Sequence, residues 1–124
     1  MTGIDMIAIE RMEKMIHRFG SKALERFLCE EERSLVSSAS TAAGFWAVKE
    51  AASKALGCGI GSEFGFFDIK IGKTEKNAPY IALSKRTVER FGIEHAEVSI
   101  THDGGFAIAV VHFETKEKRK IEVF

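Results

Sequence analysis

The chain has 124 residues, 18 lysines and arginines balanced by 18 aspartates and glutamates, and a hydrophobic fraction of 45%. That size suits one domain over residues 1–124, short for a deep cleft of its own, and the zero formal charge offers no global field for nucleic acid or an anionic membrane. Cys29 and Cys58 are too few for a disulfide framework, and acids and a base within the first eleven residues argue against a signal peptide, so a cytoplasmic protein is expected.

In chain order, TGIDMIAIE alternates and is β-branched, which predicts a strand interrupted by Asp5. IERMEKMIHRF changes period: Ile9, Met12, Ile16 and Phe19 share one helical face, and Arg11, Lys14 and Arg18 share the other. Gly20-Ser21 is expected to end that helix and cap the next, whose stripe is Ala23, Leu24, Phe27 and Leu28. EEERSLVSS reads as a short helix with acids in its first turn. Ser40 or Thr41 is placed to cap a long helix from about Ala42 to Leu56, stopped by Gly57. FGFFDIKIGKT sets Phe67, Ile69 and Ile71 against Asp68 and Lys70, a half-buried strand. KNAPYIAL is a turn feeding a strand with Pro79 at its start, and SKRTVERFG is a helix capped by Ser84 and stopped by Gly92. HAEVSIT and GFAIAVVHFET are strands joined by an HDGG hairpin turn, KEKRK is charged and exposed, and IEVF is a possible last edge strand. The pattern is α+β, with helices in the first half packed on an antiparallel sheet from the second.

The long helix holds the chemistry. Glu50, Ser53 and Lys54 share one side, while Phe45, Val48, Ala52, Ala55 and Leu56 face a core. An i,i+4 Glu–Lys pair is most simply a solvated surface feature. Against that, a helix walled by alanines is buried on most sides, so its charged stripe lines something. The glycines of GCGIG, Gly57 and Gly59 among them, let backbone amides approach a ligand, although a helix C-terminus has the wrong dipole for an anion. Asp5 either caps the helix starting near Ile9 or joins Glu50 as a pair of hard oxygen ligands for magnesium, with Lys54 against a phosphate. His102, beside Asp103, is a phosphate or ribose contact or a plain loop histidine. Phe45 and Trp46 read as core. The stripe Arg11–Lys14–Arg18 is a solvated face or a docking surface for an acidic partner.

TGIDMIAIERM, followed by FWAVKEAASKALGCGIG and by FFDIKI, NAPYIAL and VSITHDGGFAIAVV, resembles the holo-acyl-carrier-protein synthases, small phosphopantetheinyl transferases of bacterial fatty acid synthesis. The resemblance covers almost the whole chain and rests on Gly3-Ile4-Asp5 and the block Trp46 to Gly59. It implies magnesium-dependent transfer of 4′-phosphopantetheine from coenzyme A to a serine of apo-acyl carrier protein, releasing adenosine 3′,5′-bisphosphate. It implies Asp5 and Glu50 as metal ligands and Lys54 on the pyrophosphate. Lys49, Gly57, Gly59, Pro79 and His102 fall in cofactor-binding segments, the last two in those that hold the adenosine 3′-phosphate and base. Arg11, with Lys14 and Arg18, matches the face that docks the carrier protein. The fold implied is a homotrimer with sites at subunit interfaces. Phe45 departs from the pattern, since many relatives have arginine there. The serine proton goes to Glu50 or to a metal-bound water. A non-catalytic module binding an acidic protein through the Arg11, Lys14 and Arg18 stripe is the alternative.

Overall fold

The N-terminal alternation becomes one uninterrupted strand, β1 (Thr2–Ala8), in a computed structural model that describes residues 1–118 and 120–124. It is followed by α1 (Ile9–Phe19), the short α2 (Ser21–Glu25) and α3 (Glu30–Arg33), and the long α4 (Ala39–Leu56). A 3-10 turn (Phe66–Asp68) then leads into β2 (Ile69–Lys73), β3 (Pro79–Leu83), α5 (Lys85–Phe91), β4 (Ile93–Asp103) and β5 (Phe106–Thr115). The expected α+β arrangement is present: an antiparallel sheet in the order β1-β5-β4 lies against α4, and β2 and β3 form a separate two-stranded ribbon. Gly104 and Gly105 both take positive φ, 57° and 84°, which is what a two-residue turn between right-twisted strands requires.

The register explains which residues meet the helix. Gly3 faces Val111, Asp5 faces Ala109 and Ile7 faces Ala107, so one face of the sheet presents Ile7, Ala107, Ala109, Val111 and Phe113, all buried. The other face leaves Ile4 and Met6 61% and 58% exposed, with Val110 beside them. Helix α4 buries Ala42, Ala43, Phe45, Ala47, Val48, Ala51, Ala52 and Ala55, so it is a central element wrapped on most sides. Its alanines are needed because β1 runs close to it. A Cβ on Gly3 would lie 1.9 Å from the Ala51 carbonyl oxygen and 2.6 Å from the Ala55 nitrogen. Trp46 and Phe45 are core residues as expected, with Trp46 edge-on to Phe27 at 5.1 Å.

Several local readings change. Helix α4 begins three residues earlier than its alternation suggests, at Ala39, because Ser38 accepts the Thr41 N–H at 3.3 Å and so replaces Ser40 or Thr41 as the cap. Ser21 lies within α2, which has no side-chain cap, although Gly20 does end α1. EEERSLVSS forms a single turn, with Glu32 turned inward. Phe67 and Asp68 exchange their expected sides: Phe67 is 58% exposed and Asp68 is buried, because the chain makes a 3-10 turn there before the strand starts. IEVF forms no strand, and of the KEKRK segment the described lysines and glutamate are exposed while Arg119 lies outside the described residues. Ser84 and Gly92 do bound α5.

Candidate active site

Asp5 is not a helix cap. It lies in the middle of β1, and α1 starts after Ala8 with no side-chain cap. Its Oδ1 accepts a hydrogen bond from Lys54 Nζ at 2.8 Å, with the Asp5 side chain 14% exposed and that of Lys54 54% exposed. The absence of a side chain at Gly3 is what lets β1 come close enough to the last turns of α4 for this pairing. Glu50, one turn before Lys54, is half-buried in the same field. Burial, and then the nearby Asp5 carboxylate, push its proton affinity above that of an ordinary glutamate, while Lys54 and Arg11 pull it back. Asp5, Glu50, Lys54 and Arg11 therefore act on one another across β1, α4 and the first turn of α1.

A divalent cation fits this donor set. Burial first, and then the Asp5 carboxylate, raise the proton affinity of Glu50 despite Lys54 and Arg11 nearby, so two hard carboxylates share a partly desolvated spot where a cation is favoured. Among the described residues, no group of three or more His, Cys, Asp or Glu side chains forms a closed cage. A two-carboxylate site leaves coordination positions for water and phosphate oxygens, as magnesium prefers. Beyond Lys54 opens a cleft of about 790 Å³, lined by Thr2, Leu56, Gly57, His112 and Glu114 among others. Neither Thr2 nor His112 is legible as a site residue in the sequence; they meet, Thr2 Oγ to His112 Nδ1 at 2.8 Å, only because β1 pairs with β5.

Other expected members lie elsewhere. Lys49 is not a cofactor ligand: it is completely buried, and its ammonium donates to Glu32 Oε1 at 2.9 Å and to the Phe66 carbonyl at 2.8 Å. Burial lowers its proton affinity, opposed by its bond to Glu32. Ser53 is likewise buried and donates to the Glu50 carbonyl at 2.7 Å, so it does not project with Glu50 and Lys54. The N–H groups of Gly57, Cys58 and Gly59 are taken by the helix end, on the carbonyls of Lys54 and Ser53, so the glycine-rich bend caps α4 and its amides are not offered to a ligand. His102 Nε2 lies 3.0 Å from the Ser40 carbonyl and packs on Gly44, ten residues and about 15 Å of helix before Lys54. Pro79 pairs with Lys73 in the separate ribbon. Within one chain, neither joins Asp5, Glu50 and Lys54. Arg11 and Arg18 are exposed, the latter against the Phe19 ring, and Lys14 is exposed and paired with Glu10 at 3.3 Å.

The fold is thus an antiparallel sheet packed on a central helix, with Asp5, Glu50 and Lys54 together where its first strand crosses that helix. The family model described as 4′-phosphopantetheinyl transferase superfamily matches residues 1–118, and the chain belongs to that superfamily. It is 54% identical over 121 residues to the holo-[acyl-carrier-protein] synthase of Sulfurimonas denitrificans, covering 98% of this chain and 100% of that one. It is also 54% identical over 116 residues to the synthase of Wolinella succinogenes, covering 94% of this chain and 98% of that one. Among solved structures, the Helicobacter pylori synthase in complex with coenzyme A superimposes with a TM-score of 0.89 at 53% identity, covering 92% of this chain and 100% of that one. The Bacillus anthracis synthase in complex with CoA (3′,5′-ADP) follows with a TM-score of 0.78 at 35% identity, covering 93% and 96%.

Proposed function

We propose that this chain transfers 4′-phosphopantetheine from coenzyme A to a serine hydroxyl of apo-acyl carrier protein, releasing adenosine 3′,5′-bisphosphate. The observation that carries the mechanism is the Asp5–Lys54 ion pair at 2.8 Å with Glu50 in its field. Asp5 and Glu50 would hold Mg2+, which when bound neutralises diphosphate oxygens that otherwise repel a nucleophile. Lys54, exposed enough to reach outward, meets a phosphate oxygen and stabilises the charge that develops on the departing bisphosphate. The serine oxygen forms its bond to the β-phosphorus as the bond to the bridging oxygen breaks, and Glu50, or a water held beside it, would take the serine proton. Little covalent work falls to the protein, so position and charge dominate. The relatives named synthase, at 54% identity over nearly full length, support the substrate pair.

The working unit of this proposal is a homotrimer. Ile4 and Met6 are more than half exposed on a β-sheet face beside Val110, an apolar surface that a neighbouring subunit would cover. His102 and Pro79, remote from Lys54 within one chain, would then contribute to the adenosine end of coenzyme A from the adjacent subunit. Arg11, Lys14 and Arg18, on the exposed side of α1 beside the cluster, form the docking face for the acidic carrier protein. Mass spectrometry of apo-acyl carrier protein incubated with the chain, coenzyme A and Mg2+ tests the reaction. A carrier mass gain equal to phosphopantetheine is expected, and an unchanged mass removes the proposal.

A further inference from the structure

Among the described residues, the most buried charges lie outside the cluster just described. Glu32 is 1% exposed and Lys49 is completely buried, yet both are bonded at every turn. Glu32 Oε1 accepts from Lys49 Nζ and the Cys29 N–H, each at 2.9 Å, and Oε2 accepts from the Ile71 N–H at 3.0 Å. Lys49 gives a further hydrogen to the Phe66 carbonyl at 2.8 Å. One ion pair thus joins α3, α4, the 3-10 turn and β2. Buried pairs of this kind add little net stability, and apolar residues of the same volume often do as well. Stability alone does not account for it.

We propose that Glu32 and Lys49 are positioning residues for Glu50, locking the roll of α4 so that the Glu50 carboxylate faces Asp5. Lys49 and Glu50 are consecutive, so their side chains leave the helix about 100° apart. Pinning one to α3 and β2 fixes where the other points. The lock adds direction where α4 meets β1, because there the helix offers only Ala51 and Ala55, while bulky buried side chains such as Phe45 and Val48 lie in its earlier turns. Small apolar side chains give a favourable but non-directional contact, with few knobs to set rotation or register. On the opposite side β1 passes within contact of Ala51 at Gly3. Glu50 is therefore held between a close backbone crossing and a directional ion pair. The same pair ties down Phe66, where the chain returns from the glycine-rich bend after Lys54.

The inference rests on Glu50 being a metal ligand, and Mn2+ binding followed by electron paramagnetic resonance tests both levels separately from turnover. The double variant Glu32→Gln/Lys49→Met removes both charges together and leaves an amide acceptor for one of the backbone N–H groups. Glu32→Asp keeps the charges and shortens the arm by one methylene, as a milder second variant. Well below their unfolding temperatures, both are expected to bind Mn2+ more weakly than wild type. The double variant should lose on the order of tenfold, as supporting residues around metal sites do, with transfer recovering at high Mg2+. A purely structural pair would lower the unfolding temperature and leave Mn2+ affinity unchanged. Wild-type affinity in Glu32→Asp, or in a folded double variant, overturns the inference. Glu50→Gln is the control: if it binds Mn2+ as wild type does, the metal assignment fails and the positioning role with it.

Discussion

A methyl group at position 3 would occupy space already filled by the Ala51 carbonyl, at 1.9 Å. Gly3→Ala must therefore push β1 away from α4. We expect a loss of about 1–3 kcal/mol, the range for inserting a methylene into a packed interior, read from urea unfolding. Activity should fall further than stability, because Asp5 moves with the strand. Glu50 makes the opposite trade. Its folded-state proton affinity is raised, chiefly by burial and then by Asp5. The folded chain therefore binds that proton more tightly than the unfolded chain does, and folding stability falls as pH rises from the unfolded value through the folded one. At neutral pH the ionised Glu50 is a net burden without a bound cation. Glu50→Gln is expected to raise the melting temperature at pH 7 in metal-free buffer, lose that advantage near pH 4, and abolish transfer. A variant of unchanged stability and full activity would remove Glu50 from the site.

The segment between α4 and β2 depends on α5. Asp68 Oδ1 accepts from Arg86 Nε at 2.8 Å and from the Ser84 hydroxyl at 2.7 Å, while Oδ2 accepts from Arg86 Nη2 and the Gly65 N–H. Arg86 also reaches the Ser62 carbonyl at 3.2 Å. This fork holds the Asp68 carboxyl well below the usual carboxylate range, with the Arg86 hydrogen bonds as the largest cause. A depressed carboxylate contributes stability above its unfolded value, and that contribution is lost as pH falls below it. Arg86→Met is expected to lower the melting temperature at neutral pH and to narrow its difference from wild type progressively below about pH 4. Parallel melting curves from pH 7 to pH 2 would show that the clamp contributes nothing through charge. Because Ser62 and Gly65 belong to the stretch leaving Lys54, the variant should also raise KM for coenzyme A more than it lowers kcat.

Ile4, Met6 and Val110 form an exposed apolar patch on the sheet face away from α4. Placing charge there tests the proposed homotrimer without touching Asp5, whose side chain leaves β1 on the opposite face. Ile4→Glu/Met6→Glu is expected to sediment at one third of the wild-type mass and to lose transfer activity by more than tenfold, while retaining its circular dichroism spectrum. A monomer with full activity would place the complete reaction centre within one chain and exclude contributions from His102 and Pro79 of a neighbour.

Periodicity and punctuation alone located α1, α5, the β4–β5 hairpin and the end of α4, because a helix face, a Ser84 cap and paired glycines are local properties of a few consecutive residues. That Asp5, Glu50 and Lys54 share one neighbourhood is legible through motif and residue type, but the sequence sets Lys54 against a phosphate, whereas the fold pairs it with Asp5 across 49 positions. The place of Lys49 is not legible. Its neighbours in sequence look like those of Lys54, and what separates a buried counter-ion from an outward-facing cation is Glu32, seventeen positions away on a one-turn helix. Asp68 has the same explanation, since Arg86 lies eighteen positions away, whereas Ser53 and the amides of Gly57 and Gly59 bond within their own helix end, on the carbonyls of Glu50, Lys54 and Ser53. A side chain's chemistry is written in the sequence, but the partner that satisfies it is chosen by the packing of elements distant along the chain.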